Sequence, residues 1–241
     1  MRRRHLLQAA AAGVATTAVG ASSSSAAAAA AAPGASAEHR PTQVHILVYD
    51  GAEEQDFIGP RDVFGHAVHA GGAVETSLVR PGGPGEVTCA FGTKILVDKE
   101  WKPTEADILV IPGGGWGNPD GPGIHTLRKS SSVLRNLRRA HHSGVVLAGL
   151  CTGVLALSAA GLVRGRPCTT HHLTKDVLKQ EGGEVVSARV VDDGDLVTAA
   201  GVTSGLDLAL WLVTREFGSP VTAGVETVME YEQRGAVWRR D

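Results

Sequence analysis

Val145-Val146-Leu147-Ala148-Gly149-Leu150-Cys151-Thr152-Gly153-Val154-Leu155-Ala156-Leu157 is the stretch on which the fold turns. An apolar run, a cysteine among small neighbours and a second apolar run describe a buried strand, a sharp turn and a helix entered at once, the pattern of a nucleophile elbow. In such a turn the cysteine projects at the top of a sheet. The positive N-terminal end of the following helix is then expected to favour thiolate and lower the thiol pKa. The same residues also fit an inert cysteine buried in a core.

The chain on either side repeats the strand-then-helix order. Val44–Tyr49, bounded by Pro41 and Asp50-Gly51, predicts a first strand. Asp56–Ala70, with Pro60 near its start and Gly71-Gly72 beyond it, predicts a helix. Val74–Val79, Lys94–Val97 and Ala106–Ile111 read as further strands, the last ending in Pro112-Gly113-Gly114-Gly115, and Ile124–His142 reads as one amphipathic helix closed by Gly144. Beyond the elbow, Val154–Ala160 predicts a helix, Cys168–Thr170 a strand and Leu173–Glu181 a helix. Val185–Val191 and Leu196–Ala199 predict a hairpin about Asp193-Gly194, and Gly205–Phe217 a closing long helix. This alternation predicts a single α/β domain with a doubly wound, mostly parallel sheet, flavodoxin-like, whose ligands lie at the carboxyl ends of the strands.

Composition narrows the function classes. Of 241 residues, 43% are hydrophobic and the net charge is −2, which supports a sizeable core and gives no electrostatic case for nucleic acid. Arg2, Arg3 and Arg4 precede an Ala-rich stretch and Ala35-Ser36-Ala37, so residues 1–37 read as an export signal and 38–241 as the domain. The run Arg3-Arg4-His5-Leu6-Leu7-Gln8 resembles a twin-arginine signal, with an ordinary secretory signal as the alternative. The Ala, Ser and Thr of this stretch make a poor membrane span, so no stable anchor is expected once the signal is removed. Cys89, Cys151 and Cys168 leave at least one thiol unpaired, and a Cys89–Cys168 bridge stays open beside two buried thiols.

Five segments match one superfamily in order: Gly51-Ala52-Glu53-Glu54-Gln55-Asp56 with Pro60-Arg61-Asp62-Val63-Phe64; Ile111-Pro112-Gly113-Gly114-Gly115; Cys151-Thr152-Gly153; Thr169-Thr170-His171-His172; and Gly201-Val202-Thr203-Ser204-Gly205-Leu206-Asp207. The chain resembles the ThiJ/PfpI superfamily, class I glutamine-amidotransferase-like, and within it is most similar to the isonitrile hydratases. The resemblance implies a cofactor-independent, metal-free lyase that adds water to an isonitrile, and a homodimer acting on a small molecule. It implies catalytic roles for Cys151, Asp56, Thr152 and Asp207. Cys151 would attack, and Asp56, in a poorly solvated pocket, would stay protonated and deliver a proton. The Thr152 hydroxyl would position water, and main chain at Gly114, Gly115 and Thr152 would hold developing negative charge. His171 would line the pocket.

Each role has a plainer counterpart. Asp56 would cap a helix, Asp207 would meet a helix dipole, and His171 and His172 would be solvated loop residues without the partners of a metal site. Departures from the pattern exclude neighbouring activities. Thr152 stands where the protease-like members have histidine, and the last helix lacks the His and Glu of amidotransferases. Glyoxalase or deglycase members carry Glu at the position of Asp56, which leaves that chemistry, or an exported ligand-binding or redox-sensing module, as the alternative.

Overall fold

Runs of Val, Ile and Leu with no polar alternation cannot face water on either side, and they form the middle of the sheet. The computed structural model describes residues 40–240; the export signal read over 1–37 lies outside them. The strands are β1 Thr42–Leu47, β2 Val74–Arg80, β3 Gly85–Thr88, β4 Lys94–Val97, β5 Lys99–Glu100, β6 Ile108–Ile111, β7 Val146–Leu150, β8 Pro167–Cys168, β9 Glu184–Val185, β10 Val190–Asp192, β11 Leu196–Ala199 and β12 Trp238–Arg239. The helices are α1 Glu54–His69, α2 Ile124–Lys129, α3 Ser131–His142, α4 Val154–Ala159, α5 Lys175–Gln180, α6 Ser204–Phe217 and α7 Ser219–Met229.

Eight strands join in the order β12-β10-β11-β7-β6-β1-β2-β5, parallel throughout except where β10 runs against β11. Helices α1, α6 and α7 pack on one another as one group, and α2, α3 and α4 as another. This is the expected doubly wound α/β domain. From β1 the chain moves to β2 on one side and later to β6 on the other, so the strand order reverses between β1 and β6. Ligands of such sheets bind in the crevice at that switch, beyond the carboxyl ends of the strands.

Several local expectations are corrected. The helix read over 124–142 is broken at Ser130, whose backbone is extended (φ −78°, ψ 104°) and whose Oγ accepts the Val133 N–H, so the serine run caps a new helix. A hairpin of β3 on β4 was not read from the sequence because its strands are short and half exposed. The segment 185–191 divides between β9, which pairs with β8, and β10, which pairs with β11. Helix α6 does not close the fold: α7 follows across Gly218, and β12 adds to the edge of the sheet. Cys89, Cys151 and Cys168 are all free and buried, so there is no 89–168 bridge.

Candidate active site

The chain at residues 51–53, 111–114 and 151–153 converges because three glycines let backbone come close. A side-chain carbon at Gly153 would stand 2.1 Å from the Ile111 carbonyl oxygen, and one at Gly113 would stand 2.5 Å from Thr152 Oγ1. At Gly114 it would stand 2.2 Å from the Gly51 carbonyl oxygen. No residue but glycine fits these crossings without moving main chain.

Cys151 follows β7 directly, with φ +55°, a left-handed conformation uncommon outside glycine and held here by the turn. Its N–H donates to the Ala200 carbonyl at 3.1 Å, and its carbonyl accepts the Thr170 hydroxyl at 2.7 Å. The backbone N–H groups of Val202 and Thr152 lie beside the sulfur and favour its charged form. Burial is the stronger influence, and with the charge of Asp56 it pushes the thiol up to about 12. The thiolate expected from the helix N-terminus is therefore not the resting form: Cys151 opens a three-residue 3₁₀ turn, Cys151–Gly153, and α4 beyond it has only six residues to supply a dipole.

Asp56 lies in the first turn of α1 and is fully buried. It is not a cap. Its Oδ2 accepts the Gly113 N–H at 2.8 Å, while Oδ1 has no hydrogen-bond partner among the described residues. The carboxyl lies beside the Cys151 thiol. Burial raises it to about 7, against the stabilising N–H of Gly113. A thiol and a carboxyl so placed titrate as a pair.

Thr152 Oγ1 accepts the Gly114 N–H at 3.0 Å. That bond removes Gly114 from the expected set of oxyanion donors, and Gly113 is already spent on Asp56. The Gly115 N–H has no hydrogen-bond partner among the described residues and stays free for the role. The Thr152 hydroxyl keeps its own proton to donate. Tyr49 was missed from the sequence because it reads as the end of a strand. It is buried beside both acidic groups, and its hydroxyl donates to the Pro112 carbonyl at 2.7 Å, fixing the turn that carries Gly113. A buried tyrosine needs such a partner, which is the signal that could have singled it out.

Asp207 is buried but not gathered to the thiol. Its oxygens accept from Arg189 Nε at 2.7 Å, the Tyr231 hydroxyl at 2.9 Å and the Arg234 N–H at 2.7 Å. His171 is half-buried and packs on Gly201, beside Val202. Its Nδ1 accepts the Leu173 N–H, and burial lowers its pKa, so it is neutral at pH 7. Trp116 stacks on His125 with ring centroids 4.6 Å apart. No cluster of metal-ligating side chains occurs among the described residues.

A strained cysteine on a strand-to-helix elbow, partnered by a buried carboxyl across the switch of a parallel sheet, defines a cysteine-centred α/β domain. Residues 42–215 match the DJ-1/PfpI family, and the chain belongs to it. It is 30% identical over 194 residues to an isonitrile hydratase of Pseudomonas putida, covering 78% of each chain. A deglycase of Thermococcus kodakarensis is 31% identical over 181 residues, 73% of this chain and 96% of that one. Among solved structures, a ThiJ/PfpI family protein of Pseudomonas syringae superposes with a TM-score of 0.70 at 27% identity, covering 81% of this chain and 77% of that one. The ThiJ/PfpI resemblance drawn from the motifs is thereby borne out.

Proposed function

We propose that the protein is an isonitrile hydratase-like lyase, converting a small isonitrile and water to an N-substituted formamide. The observation that carries the reading is the buried Asp56 carboxyl beside Cys151, raised to about 7 and with Oδ1 unpartnered. The similarity to the Pseudomonas putida isonitrile hydratase supports it.

The thiol and carboxyl share the proton that the reaction needs. As Cys151 sulfur forms a bond to the terminal isonitrile carbon, its proton passes to Asp56 and from there to that carbon, giving a thioimidate. Water held by the Thr152 hydroxyl then adds to the same carbon. The C–S bond breaks with its electron pair returning to sulfur, one water proton stays on nitrogen, and the other restores the Cys151–Asp56 pair. The Gly115 N–H, which has no partner among the described residues, is the main-chain donor left for the negative charge that develops during addition.

Wild type, Cys151→Ala and Asp56→Asn, as full chains, are incubated with cyclohexyl isonitrile and formamide is followed by chromatography. Formamide dependent on both residues supports the reading; none from folded wild type overturns it, and a parallel incubation with methylglyoxal tests the deglycase alternative. The exported location and the homodimer form part of this reading. They are checked by Arg3→Lys/Arg4→Lys blocking export and by light scattering of the purified chain.

A further inference from the structure

Val202 has φ +39°, and for a β-branched side chain a left-handed backbone is strained. Such a conformation persists only where its surroundings over-determine it. The loop is tied to the reacting residue by the Cys151 N–H, which donates to the Ala200 carbonyl at 3.1 Å, and the Val202 N–H lies beside the Cys151 sulfur.

One residue grips the loop on both sides of Val202. The Arg189 carbonyl accepts the Ala200 N–H at 2.9 Å, and its guanidinium donates to Thr203 Oγ1 at 3.3 Å. The Ala200 carbonyl in turn takes the Cys151 N–H. The guanidinium is itself fixed by Asp207, to which Nε donates at 2.7 Å, and the opposite oxygen of that carboxylate is held by Tyr231 and the Arg234 N–H. Arg189 immediately precedes β10, remote in sequence from the loop it braces, so the loop cannot relax without breaking contacts at both ends.

We infer that Arg189, seated on Asp207, is a positioning residue that holds the strained Val202 loop against Cys151 so that the Val202 N–H stays beside the sulfur. Arg189 makes no hydrogen bond to the thiol or to Asp56 and acts through the loop, at the Ala200 N–H and the Thr203 hydroxyl. The inference rests on Cys151 being the reactive thiol of the proposed function, but not on which substrate it attacks.

The test is the rate of Cys151 alkylation by iodoacetamide across pH 6–10, resolved from Cys89 and Cys168 by peptide mass mapping. Arg189→Met removes the guanidinium from both Thr203 and Asp207 and is expected to slow alkylation about tenfold at each pH, since an N–H that favours the thiolate moves away. Arg189→Lys, which keeps the charge at Asp207 but cannot fork to Thr203, is expected to recover part of the rate. Thr203→Val, at an exposed position, removes the guanidinium's hold on the loop but leaves Arg189 on Asp207, and is expected to give a smaller loss in the same direction. This variant decides the matter if Arg189→Met does not fold. An unchanged rate in folded variants, with only melting temperature lowered, overturns the inference. Alkylation needs no isonitrile, so a failure here is distinct from a failure to find formamide.

Discussion

Replacing Asp56 by Asn removes a proton-binding site from the core and is expected to uncouple stability from pH between about 5 and 8. The Asn carbonyl can still accept the Gly113 N–H, so the turn keeps its bond. The native carboxyl is raised from 3.8 to about 7, so between those values the folded chain holds a proton that the unfolded chain has lost. Stability therefore falls as pH rises through this window and levels off above about 7. The full cost of ionising the buried group is about 4 kcal/mol, three units at ~1.4 kcal/mol each. From pH 5 to pH 8 the unfolded carboxyl is ionised throughout, while the native one releases its proton only near 7, which leaves about 3 kcal/mol to be seen. Urea unfolding of wild type and Asp56→Asn, followed by far-ultraviolet circular dichroism at steps across this range, measures it. Asn is expected to gain about 3 kcal/mol on wild type between the two ends. Parallel curves would refute the reasoning, because they would mean that Asp56 ionises in the native protein as it does in water.

In the isonitrile assay, kcat/KM of the wild type is expected to rise through an apparent pKa near 7 as the Cys151–Asp56 pair gives up its first proton; a profile flat from pH 5 to 8 would refute it. Thr152→Val strips the Gly114 N–H of its acceptor and is expected to cost about 1–3 kcal/mol in urea unfolding, with turnover falling by more than KM changes. Gly153→Ala forces a carbon to 2.1 Å from the Ile111 carbonyl oxygen and is expected to prevent soluble expression, whereas Gly144→Ala, where no neighbouring atom lies within 4 Å but φ is +88°, should fold with a loss of about 1 kcal/mol in urea unfolding. Glu54→Ala is expected to speed amide exchange at Phe91 and Thr93, whose N–H groups its carboxylate accepts.

The central sheet was legible because its strands are continuous apolar runs ended by glycine or proline, and β1, β6, β7 and β11 all fall within one or two residues of their expected places. The reading faltered where short-range pattern and tertiary context diverge. The periodicity of 124–142 carries straight across Ser130, and nothing in it marks a serine that caps rather than continues the helix. Strands β3 and β12 are too short to show a period, and they exist through pairing with β4 and β10. At the site, the motifs named Cys151, Asp56 and Thr152, which do meet, but could not say which donors were already spent. Gly114 is occupied by Thr152, and Asp207 by Arg189, because hydrogen bonding depends on neighbours remote in sequence. The thiol was expected to be low on the strength of the helix that follows it, while burial, invisible in a linear pattern, decides its direction.

The Gly113 peptide is bonded at both ends to the start of α1: its N–H goes to Asp56 Oδ2, and its carbonyl accepts the Glu53 N–H at 2.9 Å. Strand β6 and helix α1 therefore set a fixed gap between the helix backbone and the thiol, and that gap acts as a gauge of side-chain length. Aspartate reaches the Gly113 N–H and stops beside the sulfur. Glutamate, longer by one carbon–carbon bond of about 1.5 Å, would overrun the mark and have to fold back or displace the sulfur. The loop thus ties the choice between two acids, chemically almost alike, to a distance laid down by the sheet.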